Sequence, residues 1–540
     1  MLTTEEIVKS LKLTASLMDL HDENSFKVKS MSNAVFKLDK SRINLDGLSM
    51  DQLEKIEGIG KGIAQKINEL QTTGELKELN NFLAITPAGV IEMLSIKGIG
   101  PKKVRQLWKE LEVETTGELL YACYENRLID LKGFGTKTQE QVKKSIEFKM
   151  GNAGKYHYAS LEEYATGLVE KIKTTLGTTF VSLTGEMRRK CEIINKIEIL
   201  VGSDKTFDTT ASQEIAVPIK IITCTENDFY TKLFETTGSE EHIQSLSPTL
   251  YKGEGERPTL KKITSEEEIY AALGMQYIEP ELREGFNETA LAHNNKIPKL
   301  IEVTDLKGIL HNHTTYSDGL HTLKDMAYYC KELGYEYLGI CDHSQSAFYA
   351  NGLKADKVIE QQKEIDSLNA ALAPFKIFKG IESDILNDGS LDYSEETLKT
   401  FDFVVASVHS NLKMEINKAT ARLLKAIENP YTTVLGHPTG RLLLTRPGYP
   451  IDHKKIIDAC AANSVIIELN AHPWRLDIDW RWIPYCIEKG VKISINPDAH
   501  EKEGYHDMYY GVCVARKGML TAEMCFNALS RDEIQNYFNS

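Results

Sequence analysis

The stretch Ile309-Leu310-His311-Asn312-His313 decides how the C-terminal third of this chain is read. Two apolar residues run directly into two histidines spaced i, i+2, which places both imidazoles on one side of an extended segment. Six further apolar runs follow: Leu338 to His343, Phe378 to Glu382, Phe403 to His409, Val434 to His437, Val465 to Asn470 and Lys492 to His500. All of the runs except the one from Val465 end in a His, Asp or Glu. Amphipathic stretches alternate with them, as at Leu323 to Leu333, Val358 to Leu372, Ala419 to Ile427 and Lys454 to Ala462. That alternation predicts parallel strands joined by crossover helices. A β/α barrel gathers its chemistry at the C-terminal ends of its strands. Scattered core histidines would not recur there, so the pattern predicts a multinuclear metal site.

The candidate ligands are His311, His313, Asp318 in the turn Tyr316-Ser317-Asp318-Gly319, His343, Glu382, His409, His437, Asp498 and His500. Mixed imidazole and carboxylate sets suit Zn, Mn or Fe.

Outward from this third, residues 151–300 mix helix with apolar β-type runs at Phe180 to Leu183, Ile197 to Val201 and Ile219 to Thr223. Segment 250–268, rich in Gly and charge, reads as loop. Residues 1–150 read as helical and carry an imperfect repeat: Ile56-Glu57-Gly58-Ile59-Gly60-Lys61, Ile96-Lys97-Gly98-Ile99-Gly100-Pro101 and Leu131-Lys132-Gly133-Phe134-Gly135-Thr136. The first glycine of each permits a tight turn, and the second lets the next helix present bare backbone N–H groups to a phosphate. Lys61, Lys102 and Lys103 flank these turns and predict contact with a nucleic-acid backbone. The third repeat could equally be a plain helix–turn–helix connection.

The chain has 540 residues and a net charge of −14, enough length for several cores and too acidic to coat nucleic acid indiscriminately. Nine cysteines without close pairing predict reduced thiols. The N-terminus lacks a signal-like apolar core, and no apolar run is long enough for a bilayer. The expectation is a cytoplasmic monomer with no membrane partner.

The glycine repeats resemble the helix-hairpin-helix elements of family-X DNA polymerases. The resemblance would make Lys66 the counterpart of the family's Schiff-base lysine, with Met31 where a tyrosine is common. The run Gly185-Glu186-Met187-Arg188-Arg189, continuing to Lys196-Ile197-Glu198-Ile199-Leu200, is similar to the family's nucleotidyltransferase motif, Gly-Ser-x-Arg-Arg followed by Asp-x-Asp-x-Leu. Glu186 stands for the serine, Lys196 and Glu198 stand for the aspartate pair, and Pro218 aligns with the third aspartate. Two-metal transfer needs those carboxylates, so a relic palm without polymerase activity is expected. Arg188 and Arg189 are left to bind DNA or to pair with Glu186 or Glu192.

The strand-end motifs resemble the PHP (polymerase and histidinol phosphatase) family. That resemblance implies a distorted (β/α)7 barrel holding three divalent ions. His311, His313, Glu382 and Asp498 would hold one, His409, His437 and a shared Glu382 the second, and Asp318, His343 and His500 the third. Glu382, His409 and Asp498 would carry catalysis, with Arg441, and also Arg446, as phosphate clamps. Likeness to bacterial family-X polymerases with an attached PHP domain covers nearly the whole chain. It implies three domains: an all-α helix-hairpin-helix region (1–150), an α+β palm (151–300) and the barrel (301–540). The implied activity is that of a DNA phosphoesterase, a 3′-5′ exonuclease of DNA repair acting on ends, gaps or single strands. A small-molecule phosphomonoesterase of histidinol-phosphatase type, or a DNA-binding scaffold, are the alternatives.

Overall fold

Two units divide a computed structural model of the chain, Met1–Glu147 and Phe148–Ser540. It describes residues 2–539 apart from 42, 46, 130, 152–153, 206, 208–216 and 251–262.

The described part of the first unit is helical. Its recurring device is a glycine in the left-handed region followed two residues later by a glycine at a helix start. Gly58, Gly98 and Gly133 have φ of 89°, 99° and 86°, a region that favours glycine. Gly60 and Gly100 cap the helices Lys61–Thr73 and Pro101–Glu110 in extended conformation, and Gly135 precedes the helix Thr136–Gly151. Ile59 and Ile99, between the glycines, are buried and pin the turns to the core.

In the second unit the palm-like part contains β1 (Tyr156–His157), β2 (Val181–Thr184), β3 (Ile193–Ile194), β4 (Ile197–Gly202) and β5 (Ile219–Cys224). Strand β4 pairs antiparallel with β2 and parallel with β5, while β1 pairs with β3. The helix Tyr158–Leu176 buries Leu161, Ala165, Leu168, Val169 and Ile172, a three- and four-residue spacing that makes one apolar face. The loop expected over 250–268 needs correction where it is described. Residue 250 closes the helix Glu240–Leu250, and Glu266, Glu267 and Glu268 open the helix Glu266–Ala272. Those charges mark a helix N-terminus, which favours acidic residues; positions 251–262 lie outside the described residues.

The barrel strands are β6 (Gly308–Ile309), β7 (Tyr337–Ile340), β8 (Lys376–Asp384), β9 (Phe403–Ser407), β10 (Val434–Leu435), β11 (Ile466–Asn470) and β12 (Ile493–Asn496). They run parallel in sequence order, β6 and β12 forming the edges. Beyond their ends the edges meet in a parallel bridge between Asn312 and Ala499. There the His313 amide donates to Ala499 O at 2.8 Å and the Asp498 amide to His311 O at 3.1 Å. Leu310, Tyr337, Phe378, Phe403, Val434 and Ile466 fill the interior with Phe526. Phe538, on the helix Arg531–Phe538, stacks on Phe403 with centroids 5.0 Å apart and plugs the end remote from the histidines.

Palm and barrel share a seam inside this unit, and the division expected at residue 300 falls within it. Tyr509 donates to Glu162 at 2.6 Å, and the buried Lys517 ammonium reaches Glu284 at 2.6 Å and Arg189 O at 2.9 Å. His157 lies against Leu443 O at 3.2 Å, with its ring edge-on to Trp474.

Candidate metal centre

The strands stop short of the residues they position. Seven of the nine expected ligands sit in the loops that leave strand C-termini, Asp318 sits on a turn after them, and Glu382 is inside β8. Two of the loops adopt backbone conformations uncommon for their residues: φ is 22° at His437 and 53° at Asp498. Such strain persists where surrounding structure over-determines it, commonly at functional sites.

The nine side chains are all almost completely buried, and they converge. Three groupings bring ligand atoms within 4.8 Å of one another: His311, His313, Glu382 and Asp498; His313, Asp318, His343 and His500; and His343, Glu382 and His409. Glu382 is the hub. Its Oε1 is 3.0 Å from His437 Nε2, 3.1 Å from His409 Nε2 and 3.4 Å from His311 Nε2. Its Oε2 lies 2.9 Å from His343 Nδ1 and 3.7 Å from His313 Nε2. Asp318 lies 3.4 Å from His500 Nε2 and 3.6 Å from His343 Nε2. The first and third expected sets therefore sit together, the latter joined by His313. His437 stands against Glu382 outside the three groupings, and His343 takes its place beside His409.

The chemistry of the donor set was tested on its unsatisfied atoms. His311 Nε2, both ring nitrogens of His343, Glu382 Oε2 and Asp318 Oδ2 are buried without a hydrogen-bond partner. Each such atom costs about 1–3 kcal/mol. His343 Nδ1 and Glu382 Oε2 approach to 2.9 Å without hydrogen-bond geometry. Atoms aimed at common points rather than at each other fit shared cations, and the residues present fit divalent metal ions.

Electrostatics agree with that role. Burial would raise Glu382, but His409, His311 and His343 outweigh it and hold the carboxyl well below its ordinary range. Asp498 is lowered in the same way by His311 and His313. Burial pushes His313 and His437 down to about 3, keeping them as the neutral imidazoles that ligate cations. His409 goes the other way, up to about 10, because Glu382 and Asp384 overcome the effect of burial.

Behind the ligands stand carboxylates that reading the sequence did not single out for this role. Glu468 holds His311 Nδ1 at 2.7 Å and accepts from the His437 amide at 2.8 Å. Asp384 holds His409 Nδ1 at 2.5 Å. Asp342 accepts from Thr314 N at 2.8 Å, Ser317 N at 3.1 Å and Gln361 Nε2 at 2.6 Å, fixing the turn that carries Asp318. Two signals existed: Asp384 is i+2 from Glu382, and Glu468 interrupts an apolar strand, where a charge must find a partner.

Arg441 is a correction. Its Nε donates to Arg475 O at 3.0 Å, one terminal nitrogen to Asp479 at 2.6 Å and the other to Leu476 O. Each nitrogen is committed to the 475–479 loop, so the guanidinium braces that loop instead of clamping a phosphate. Arg446 turns back on Gly440 O at 2.8 Å.

In the palm, Lys196 and Lys220 each place an ammonium 3.0 Å from Glu198 Oε1. Burial would raise the Glu198 carboxyl, and the two lysines lower it instead. Pro218 O accepts from Ile197 N at 2.9 Å, so the position matched to the third aspartate does adjoin this pair. Glu186 accepts from Asn195 N and Nδ2, both at 2.8 Å. Arg188 pairs with Glu266, and Arg189 with Glu284 at 3.2 Å; neither pairs with Glu186 or Glu192 in these bridges. In the helical unit Lys61 and Lys102 are exposed beside their glycine turns, Lys103 lies 4.8 Å over the Phe134 ring, and Lys66 pairs with Glu78.

Comparison with known proteins adds family relationships. Residues 310–472 match the PHP domain, 3–76 a helix-hairpin-helix domain, 90–147 a SAM-like helix-hairpin-helix tandem and 246–284 the DNA polymerase beta thumb. The chain is 33% identical to a Bacillus subtilis (strain 168) protein named "DNA polymerase/3'-5' exonuclease PolX", across 99% of both chains. A segment covering 35% of the chain is 28% identical to a "Probable phosphatase" of Acetivibrio thermocellus, spanning 78% of that protein. A solved histidinol phosphate phosphatase of Lactococcus lactis aligns with 39% of the chain and 93% of its own, at 16% identity and a TM-score of 0.32.

Proposed function

The chain belongs to the bacterial family-X DNA polymerases that carry a PHP domain, and from that premise we propose that it is a metal-dependent 3′-5′ exonuclease of DNA repair that has lost nucleotidyl transfer. The observation that carries this reading is the contrast between its two centres. The barrel gathers nine buried His, Asp and Glu side chains around Glu382. The palm offers one carboxylate, Glu198, already held by two ammonium groups. A cation pair for phosphoryl transfer would have to displace both lysines and would still lack two ligands.

Divalent ions in the barrel, three of Mn, Zn or Fe, would neutralise phosphate oxygens and supply activated water near neutral pH. The chain's own residues prepare that chemistry. Glu382 presents two ionised oxygens to opposite sides of the cluster. Glu468 and Asp384 fix which nitrogen of His311 and His409 faces inward. Asp342 fixes Asp318. The glycine turns at Gly58, Gly60, Gly98, Gly100, Gly133 and Gly135, with Lys61, Lys102 and Lys103, would grip DNA backbone near ends, gaps or single strands.

The test is release of labelled nucleotides from DNA ends, set against a panel of phosphate monoesters, with manganese, zinc or chelator. Wild type should degrade 3′ ends with added metal, and Glu382→Ala should lose at least a hundredfold. Hydrolysis confined to the monoesters would favour the second reading, a small-molecule phosphatase, which the similarity to a protein named "Probable phosphatase" supports. Primer extension that Glu198→Ala abolishes would restore the palm as a working polymerase.

A further inference from the structure

Phe348 is 87% exposed, the most exposed large apolar side chain among the described residues. A lone exposed apolar residue is ordinary; the loop that carries this one is not. It leaves β7 through His343 and reaches Phe348 five residues later. Its base is closed by Ser344 N donating to Glu382 O at 3.0 Å and Leu353 N to His343 O at 2.8 Å. Ser346 Oγ donates to Asp384 at 2.8 Å, and its amide to Asp392 at 2.7 Å. Ala347 and Ala350 are buried on either side, and Tyr349 turns its ring toward His343, centroids 6.2 Å apart. Gly352 has no room for a Cβ, which would strike Ser344 O. Every neighbour of Phe348 is thus tied down, several of them to Glu382, Asp384 or His343, while the benzyl ring alone stands in water. Lys354, on the same loop, is also exposed.

A rigid aromatic face beside a phosphate-hydrolysing centre, in a chain with nucleic-acid-binding hairpins, suits a planar, sequence-independent ligand. Nucleobases are such ligands, and stacking on an aromatic side chain is tolerant of base identity. We propose that Phe348 is the platform on which the unpaired base at the end of the strand stacks while its phosphate is presented to the barrel centre. This rests on the exonuclease reading and deepens it: the preferred substrate is a frayed or single-stranded 3′ end that still carries its terminal base. Phe348 is a positioning residue and touches the base, not the reacting atoms.

The experiment compares wild type, Phe348→Ala and Phe348→Trp on two single-stranded oligonucleotides, one ending in a normal nucleotide and one in an abasic tetrahydrofuran residue. Phe348→Ala should raise KM for the normal end about 5- to 100-fold, the range expected for one base stack, with kcat nearly unchanged. It should leave the abasic end unaffected, and Phe348→Trp should restore wild-type KM. Equal losses on both ends, or no loss on either, would overturn the proposal while leaving the exonuclease reading intact. Wild type that hydrolyses neither end would remove both. The exposed position makes misfolding of the variants an unlikely confounder, and unchanged metal content by elemental analysis checks it.

Discussion

Among single residues, the ones behind the ligands carry the sharpest consequences. Glu468→Gln keeps the size of the side chain but weakens its hold on His311, and Asp384→Asn does the same for His409. Each should lower metal affinity or hydrolysis about 10- to 100-fold, read by metal titration beside a nuclease assay. Arg441→Ala should instead lower thermal stability by about 1–3 kcal/mol with little change in KM for DNA, since its donors serve the 475–479 loop. A KM effect without a stability effect would return Arg441 to the phosphate. The ligands themselves could be read from the sequence because each follows a short apolar run, and chemistry sits where strands end. Their supporting carboxylates were not legible as such. Glu468 reaches His311 across 157 residues, and nothing local announces the partnership. Arg441 misleads for the converse reason: nearness to His437 along the chain says little where the backbone turns through positive φ at His437 and Gly440.

At the scale of elements, the three glycine turns make the clearest forecast. Gly98, at φ 99°, should not accept a side chain freely. Gly98→Ala should cost about 1 kcal/mol or more from left-handed strain, measured by thermal melting, and should weaken DNA binding with it. Lys102→Ala should leave folding intact and lower the slope of log affinity against log salt by about one; an unchanged slope would take Lys102 off the backbone. The hairpins were legible because glycine spacing is a local signal. Segment 250–268 was misread for a related reason: consecutive glutamates look like a solvated loop until Ser265 is seen ahead of them as a helix cap. The strands proved shorter than their apolar runs, as at β10, because the residues that follow bend away to reach the centre.

For the whole molecule, the seam between palm and barrel is an acid-sensitive joint. His157 is buried at that seam and burial pushes it down to about 3 from 6.5. The unfolded chain therefore binds this proton more readily, so stability is fully present above 6.5 and is lost as pH falls toward 3. The loss should approach about 1.4 kcal/mol per pH unit within that window. Denaturant melts of wild type and His157→Phe between pH 7 and 4 would show it, with the variant losing less; parallel pH profiles would acquit His157. Chelation should lower the melting temperature of residues 148–540 and spare the helical unit, because ligands that bind only the folded state stabilise it. Apo and metal-loaded melts that coincide would contradict the metal assignment.

The bridge between Asn312 and Ala499 joins the first barrel strand to the last, and His313 meets Asp498 across 185 residues there. During translation, then, the glycine turns of the N-terminal unit leave the ribosome early, while the cutting centre lacks half of one ion's ligands until the final strand emerges. A nascent or truncated chain could hold nucleic acid but not trim it, so hydrolysis is withheld until synthesis is all but finished.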